Sequence, residues 1–319
     1  MSETLVRTDL RQKVAKEDRL FFGISSAAAL FTLAVVFLIV IFLGYRSAST
    51  FAQQGLSFIT GSTWDNTTEN GTFQIWPMLV GSFVVSFLGL IIAVPASIAV
   101  AYFIEYMAPK RVARIATSVV DLLAAILSIV IGLWGMQILT PMAAGWSELL
   151  TRHLGFLPFF KNTVGTAYGA PFIAGWTVAI MIIPIITSVS REVISRVDKD
   201  LVSAASALGG TKFTTMRRVV IPTAKSGILG GILLGLGRAI GETVAIFFVL
   251  NLVFQANYIN ILEPRGGSIA SLIVAKFGEA TSSELSALMA AGVILFATTL
   301  LVNMAASTIV RRAEARMAS

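Results

Sequence analysis

Long apolar runs separated by short polar stretches organise this 319-residue chain. Six of them, over roughly 20–44, 76–104, 116–141, 170–190, 227–253 and 285–310, each hold about 20 or more mostly apolar residues. A run of that length forms a helix that crosses a hydrocarbon layer ~30 Å thick. A barrel of strands would instead show segments of about ten residues alternating in polarity. The pattern therefore predicts an all-α polytopic membrane protein with six transmembrane helices.

The longest polar stretch, between the fourth and fifth runs, has a pattern of its own. Leu201, Ala204, Ala205 and Leu208 fall at i, i+3, i+4 and i+7, the apolar face of a short helix. Gly209 and Gly210 can end it, and Thr211 can cap a second helix bearing Phe213, Met216 and Val220. Pro222 then marks a turn toward the membrane. The spacing predicts a two-helix hairpin over 191–226, either a docking element or an amphipathic connector lying on anionic lipid.

Composition supports the membrane class, with 56% hydrophobic and 13% charged residues against roughly 45–50% and about 25% in soluble domains. A net charge of +7 would point a soluble protein toward nucleic acid, but here its placement carries the information. With the N-terminus inside, the inner segments hold 18 Lys and Arg and the outer loops 5. This bias places both termini in the cytoplasm, and no nucleic-acid partner is expected. The chain then divides into a cytoplasmic segment 1–19, a first helix 20–45, a main bundle 70–310 and a tail 311–319. The first apolar core, about 24 residues, is too long for the h-region of a cleaved signal. The absence of cysteine excludes disulfides and thiolate metal sites, and the sole His153 falls on an expected outer loop.

Nucleotide hydrolysis within the chain would need G-x-x-x-x-G-K-[ST], and the dipeptide Gly-Lys occurs nowhere. The stretch "LGLGRAIGET" imitates a dinucleotide fingerprint, but Ile240 stands where its last glycine belongs. No metalloprotease or serine-hydrolase motif is present either. Energy for active transport would have to come from an ion gradient or a partner.

That same stretch places Arg238 and Glu242 within the fifth run. Each charge at a bilayer centre costs about 2.5–3.5 kcal/mol on insertion scales. At i and i+4 the two can pair on one helical face. Buried pairs stabilise poorly compared with apolar replacements, so a role in an anion pathway competes with a structural salt bridge. Asp121, near the inner end of the third run, is a further polar candidate or an interfacial helix-end carboxylate. Gly227, Gly231 and Gly235, and again Gly237 and Gly241, repeat every four residues and suit close helix packing in lipid.

The segment "SAASALGGTKFTTMRRVVIPTAKSGI" resembles the cytoplasmic signature of ABC-importer permeases, E-A-A-x-x-x-G followed by I-x-L-P. Ala204, Ala205 and Gly209 match its first part, and Val219, Ile221 and Pro222 occupy the second, while Ser203 replaces the usual glutamate. "GILGGILLGLGRAIGETVAIFFVL" is similar to the fifth span of the phosphate importers' permeases, where R-A-x-G-E is typical. "DLLAAILSIVIGLWG" resembles their third span, with Leu127 replacing a usual proline before Ser128. "TFQIWPMLVGS" and "GLWG" look more like the PstC-type than the PstA-type subunit, and "IASLIVAKFGEA" adds to the likeness.

The resemblance implies a type I importer (MetI-like) permease fold with a peripheral first helix. It also implies a heteromeric complex with a PstA-type permease, two PstB-type ATPases and a phosphate-binding protein. ATP and magnesium would sit on the ATPases, leaving no cofactor in this chain. Arg238 and Glu242 would then face inorganic phosphate, with Glu242 holding the guanidinium between transport events, and 200–222 would meet the ATPase. The other readings are a permease for another oxyanion such as sulfate or molybdate or for an organic solute, a secondary anion transporter or channel, and a membrane-embedded enzyme.

Overall fold

The computed structural model describes residues 16–67 and 71–318, with side chains over 21–67 and 71–308. The basic residues before Lys16 lie outside the described residues. Thirteen α-helical segments are described, and six continuous helices are long and apolar enough to cross a membrane. They run over Phe21–Gln54, Trp76–Met107, Ser128–Leu154, Pro171–Ser195, Lys212–Gly241 and Ser282–Thr308. In chain order the first span belongs to α1 (Lys16–Gln54), which a short α2 (Ser57–Thr60) and a small antiparallel ribbon follow. In the ribbon β1 (Trp64–Asp65) pairs with β2 (Thr72–Phe73) in the register Trp64 to Phe73. This ribbon marks what we term the upper end of the bundle.

The second span is α3 (Trp76–Tyr102), extended by a π turn to Met107. Then comes α4 (Lys110–Ala124), and a break before α5 (Ser128–Trp134). A π turn at Gly135–Leu139 joins α5 to α6 (Thr140–Leu154). The expected third span, 116–141, is interrupted at 125–127, and its second part runs on to Leu154, taking in His153. The chain leaves the helix at Leu127, whose φ −65° and ψ 138° are an extended geometry that a proline also adopts.

The fourth span, α7 (Pro171–Ser195), packs along α3 and forms the centre of the molecule. Val85, Ala93, Val178, Ile182, Ile186 and Ile246 are buried together there. Pro184 lies inside α7, and Ser97 of α3 donates a hydrogen bond to the neighbouring Ile183 carbonyl at 3.1 Å.

α8 (Lys199–Ala207) and α9 (Lys212–Thr215) form the lower end. Asp198 caps α8 by accepting from the Asp200 N–H, and Thr211 caps α9 by accepting from the Thr214 N–H. The expected turn at Pro222 is not there. A π turn at Met216–Val220 carries α9 straight into α10 (Ile221–Gly241), and the whole forms one span. Proline has no N–H to offer the ladder, and the extra residue of a π turn directly before it absorbs that loss.

The short α11 (Val244–Val249), α12 (Ile269–Phe277) and the last span α13 (Ser282–Ala318) complete the chain. An upper core gathers Phe58, Phe73, Ile75, Met78, Ile269, Leu272 and Leu288. α1 packs on α13 only in its upper half, where Val40, Leu43, Ser47, Thr50 and Phe51 lose exposure. Hydroxyl contacts from Ser49 and Thr50 to Ser286, at 2.7 and 2.8 Å, fasten it. Residues 21–39 of α1 are exposed.

Candidate functional site

α10 presents three different faces. Gly231 and Gly235 lie against α7, where an added methyl would come within 3.1 Å of Val189 and 2.8 Å of Ile186. Gly227 meets Val193 more closely still. The glycine repeat therefore works as the sequence suggests, letting two helices approach in lipid. Gly237 faces α13, with an added methyl 3.4 Å from the amide of Asn303. The third face is open: Gly230 and Gly241 meet nothing within 4 Å, and Leu234 and Arg238 between them are exposed.

The expected pairing of Arg238 with Glu242 is not what the fold contains. α10 ends at Gly241, and Glu242 takes an extended conformation at φ −69° and ψ 126°, so the i, i+4 geometry is lost. Its carboxylate instead accepts from the Ala245 N–H at 3.3 Å and from Ser128 Oγ at 3.4 Å. Thr243 Oγ1 donates to the Gly241 carbonyl at 3.1 Å on the other side of the break. A helix end leaves N–H groups unpaired, and a buried carboxylate next to them finds partners there without a guanidinium. Glu242 is 7% exposed, whereas Arg238 is exposed, and among the described residues no ion pair joins them.

The two breaks in the crossing helices therefore meet. Ser128 opens α5 directly after Leu127, and Glu242 lies between α10 and α11. α5 packs on α11 so closely that a methyl on Gly132 would come 2.8 Å from the Ala245 Cα. Irregular backbone at membrane depth is tolerated where protein buries it or a cavity receives it. Asp121 does not join this group. It is exposed on α4 and accepts from Ser188 Oγ of α7 at 3.4 Å.

The expected ATPase-contact residues are gathered at the lower end. Val202, Met216 and Val220 pack against Tyr102, Ile194 and Val197. Leu201, Ser203, Ala204, Leu208 and Gly209 stay exposed, Ala205, Val219 and Ile221 are half-buried, and Pro222 is exposed. Gly209 turns the chain at φ +83°, a left-handed conformation that favours glycine. Tyr102 Oη donates to the Lys212 carbonyl at 2.9 Å and ties this turn to the second span.

Sequence reasoning missed several polar groups. Asn303 is a lone amide in the last apolar run, and its isolation there was the available signal. Ser128 gave none, because serines are common in spans. Two buried carboxylates brace the upper end. Glu284 accepts from Trp64 Nε1 at 2.8 Å and lies 3.7 Å from Lys276 Nζ. Glu263, fully buried, accepts from the Thr163 N–H at 2.9 Å and its hydroxyl at 2.6 Å, with Arg265 Nε 2.8 Å from its other oxygen. Burial alone pushes the Glu263 carboxyl up, but the Thr163 and Asn260 hydrogen bonds and the Arg265 charge outweigh it and hold it below the ordinary range.

A six-span helical bundle with interrupted crossing helices, an open charged helix face and an exposed lower-end turn is built as a transport subunit. Residues 93–319 match the family described as "Binding-protein-dependent transport system inner membrane component", and the chain belongs to that family. It is a multi-pass protein of the cytoplasmic membrane and one subunit of an ABC transporter. It is 35% identical to "Phosphate transport system permease protein PstC 2" of Mycobacterium tuberculosis, over 96% of this chain and 95% of that one. It is 39% identical to PstC of Pasteurella multocida, over 88% and 87%. The fold is similar to a chain of a bacterial alginate ABC transporter, at TM-score 0.61 and 17% identity over 93% of this chain and 96% of that one.

Proposed function

We propose that the chain is the PstC-type permease of an ATP-driven importer that carries inorganic phosphate into the cytoplasm. The similarity to PstC proteins across nearly the whole chain supports the substrate. The observation that carries the site is the open face of α10, where Arg238 stands exposed between glycines that meet nothing. A guanidinium keeps its charge at any physiological pH and presents a fork of donors suited to a tetrahedral oxyanion. A second, PstA-type permease would close this face into a path, and a phosphate-binding protein would deliver substrate at the upper end. Two PstB-type ATPases, holding ATP and magnesium, would dock on the exposed residues Ser203, Ala204, Leu208 and Gly209.

In this reading the two charges have different tasks. Arg238 offsets the desolvation of phosphate during passage and binds it weakly enough to release it. Glu242 holds the break in place, through Ala245 and Ser128, so that Arg238 sits on the last turn of α10. ATPase closure would tilt α9–α10 as one lever, because no turn interrupts it between Lys212 and Gly241. The test is Arg238→Gln in the assembled transporter. Phosphate uptake should fall at least about tenfold with complex assembly unchanged. Normal uptake sinks the translocation role, and uptake inhibited by sulfate or molybdate as strongly as by unlabelled phosphate redirects the reading to another oxyanion.

A further inference from the structure

α4 is the lower half of the interrupted third crossing. It runs antiparallel to the lower half of α7, where Thr117 Oγ1 accepts from Arg191 Nη1 at 2.7 Å and Asp121 accepts from Ser188 Oγ at 3.4 Å. It then reaches the break at 125–127, beyond which Ser128 meets Glu242, one turn above Arg238. Lys110, Arg114, Ser118 and Asp121 form an exposed polar stripe along α4 at helical spacing, and Val112, Ile115, Val119 and Leu122 an exposed apolar one.

What covers the opposite flank fixes where the polar stripe faces. α3 covers one flank of both central helices: Ser97 and Tyr106 donate to the Ile183 and Ile194 carbonyls of α7, and Ala101 and Tyr102 are buried with Ala224 and Ile228 of α10. The α7 row that meets the α10 glycines is Ile182, Ile186, Val189 and Val193. On the side of that row away from α3 the helical spacing places Ile185 and Ser188, half-buried, and Glu192, exposed. Gly230, Leu234 and Arg238, the open face of α10, likewise lie on the side of its glycines away from Ala224 and Ile228. The two open rows therefore face the same way, and Asp121 joins that surface through Ser188. Since Gly235 packs on Ile186, the helical rise puts Arg238 roughly 9 Å above Ser188, and Arg114 about 10 Å below Asp121. Neither Asp121 nor Arg114 has an ion-pair partner among the described residues.

We propose that α4 walls the inner half of the phosphate path and that Asp121 is its release residue, an inference that rests on the role given to Arg238. Phosphate leaving Arg238 passes between the open row of α7 and the polar stripe of α4. It meets the hydroxyls of Ser188 and Ser118 and then the cations of Arg114 and Lys110 at the inner mouth. Asp121 stands between the two cationic stations, and its like charge keeps phosphate from resting midway. A path that holds its solute at weak, separate sites conducts, whereas one that clamps it between cations does not.

The assembled transporter in membrane vesicles tests this. The chain has no native cysteine, so Ser118→Cys and Ile115→Cys report on one stripe each. A water-soluble anionic thiosulfonate should modify the thiol at 118 several-fold faster than the thiol at 115, and modification at 118 should block phosphate transport. A non-hydrolysable ATP analogue, which closes the ATPases and with them the inner mouth, should slow the reaction at 118 several-fold. A thiol at 118 that is unreactive in both states is covered by lipid or a partner and overturns the proposal. Equal reactivity in both states marks a static surface and overturns it too, as does transport that survives modification. Asp121→Asn keeps an acceptor for Ser188 and removes the charge, so the maximal transport rate should fall several-fold with assembly unchanged. An unchanged rate overturns the release role. Arg238 is intact in all of these variants, so loss of transport in Arg238→Gln together with an unreactive thiol at 118 defeats this inference alone.

Discussion

α7 and α10 run side by side through the same depth of the bundle and could hardly be more different. α7 carries no charge from Pro171 to Ser190, is buried on most of its surface, and continues unbroken past its own proline. α10 is held to it by glycines, leaves one face open, places a cation on that face and stops at Gly241. The contrast separates a scaffold from a lining. A span surrounded by protein can be apolar throughout, because packing alone fixes it. A span that serves a polar solute must expose something costly, and its fixed position then has to come from close helix contact and from the groups at its break.

The contact between them is the first place to break this comparison. Gly231→Leu drives a side chain into Val189, and an overpacked seam of this kind should cost about 3 kcal/mol. Little assembled complex should be recovered from detergent, and normal yield would show that α10 is not seated by its glycines. Next is Glu242→Ala, which removes the acceptor for Ala245 and Ser128. About 1–2 kcal/mol of stability should go, together with most transport, although the Arg238 charge is untouched. A variant that transports normally would deny that the break positions the arginine.

The upper ends of the two regions are joined by Glu263, which follows α11 and receives Thr163 from the loop before α7. Because its folded carboxyl is more acidic than an ordinary glutamate, its stabilisation is complete above the ordinary range and is lost as pH falls through the folded value. Hydrogen exchange in both loops should therefore rise below about pH 4. In Glu263→Gln that pH dependence should disappear, and an unchanged profile would place its origin elsewhere. The smallest effect belongs to the break that faces Glu242. Leu127 already has φ −65°, so Leu127→Pro should raise thermal stability by about 0.5 kcal/mol. A loss of more than about 1 kcal/mol would show that the Leu127 N–H or side chain matters there.

Much of this was legible in the sequence because it depends on local pattern. The first, second, fourth and last crossings follow from the length of apolar runs, and the caps at Thr211 and the turn at Gly209 follow from residue type. The third and fifth runs were read as continuous, because hydropathy is blind to a break between two apolar halves. Leu127 gives no sign of its extended backbone. Glu242 has the spacing of a salt bridge and is spent on a helix end. On α8 it is Val202, outside the apolar face that the spacing marks, that packs within the chain.

The sequence by itself determined the membrane class, most of the crossings, the lower-end hairpin and the presence of one arginine at depth, since burial in lipid makes each of these a matter of composition over a short window. Only the tertiary structure decided that the arginine is open and the glutamate buried, that two breaks meet through Ser128, and that α4 packs along the lower half of α7. Those outcomes depend on which neighbour supplies a hydrogen-bond partner to each buried polar group, and the partner that joins the two breaks, Ser128, lies 114 residues away from Glu242 along the chain.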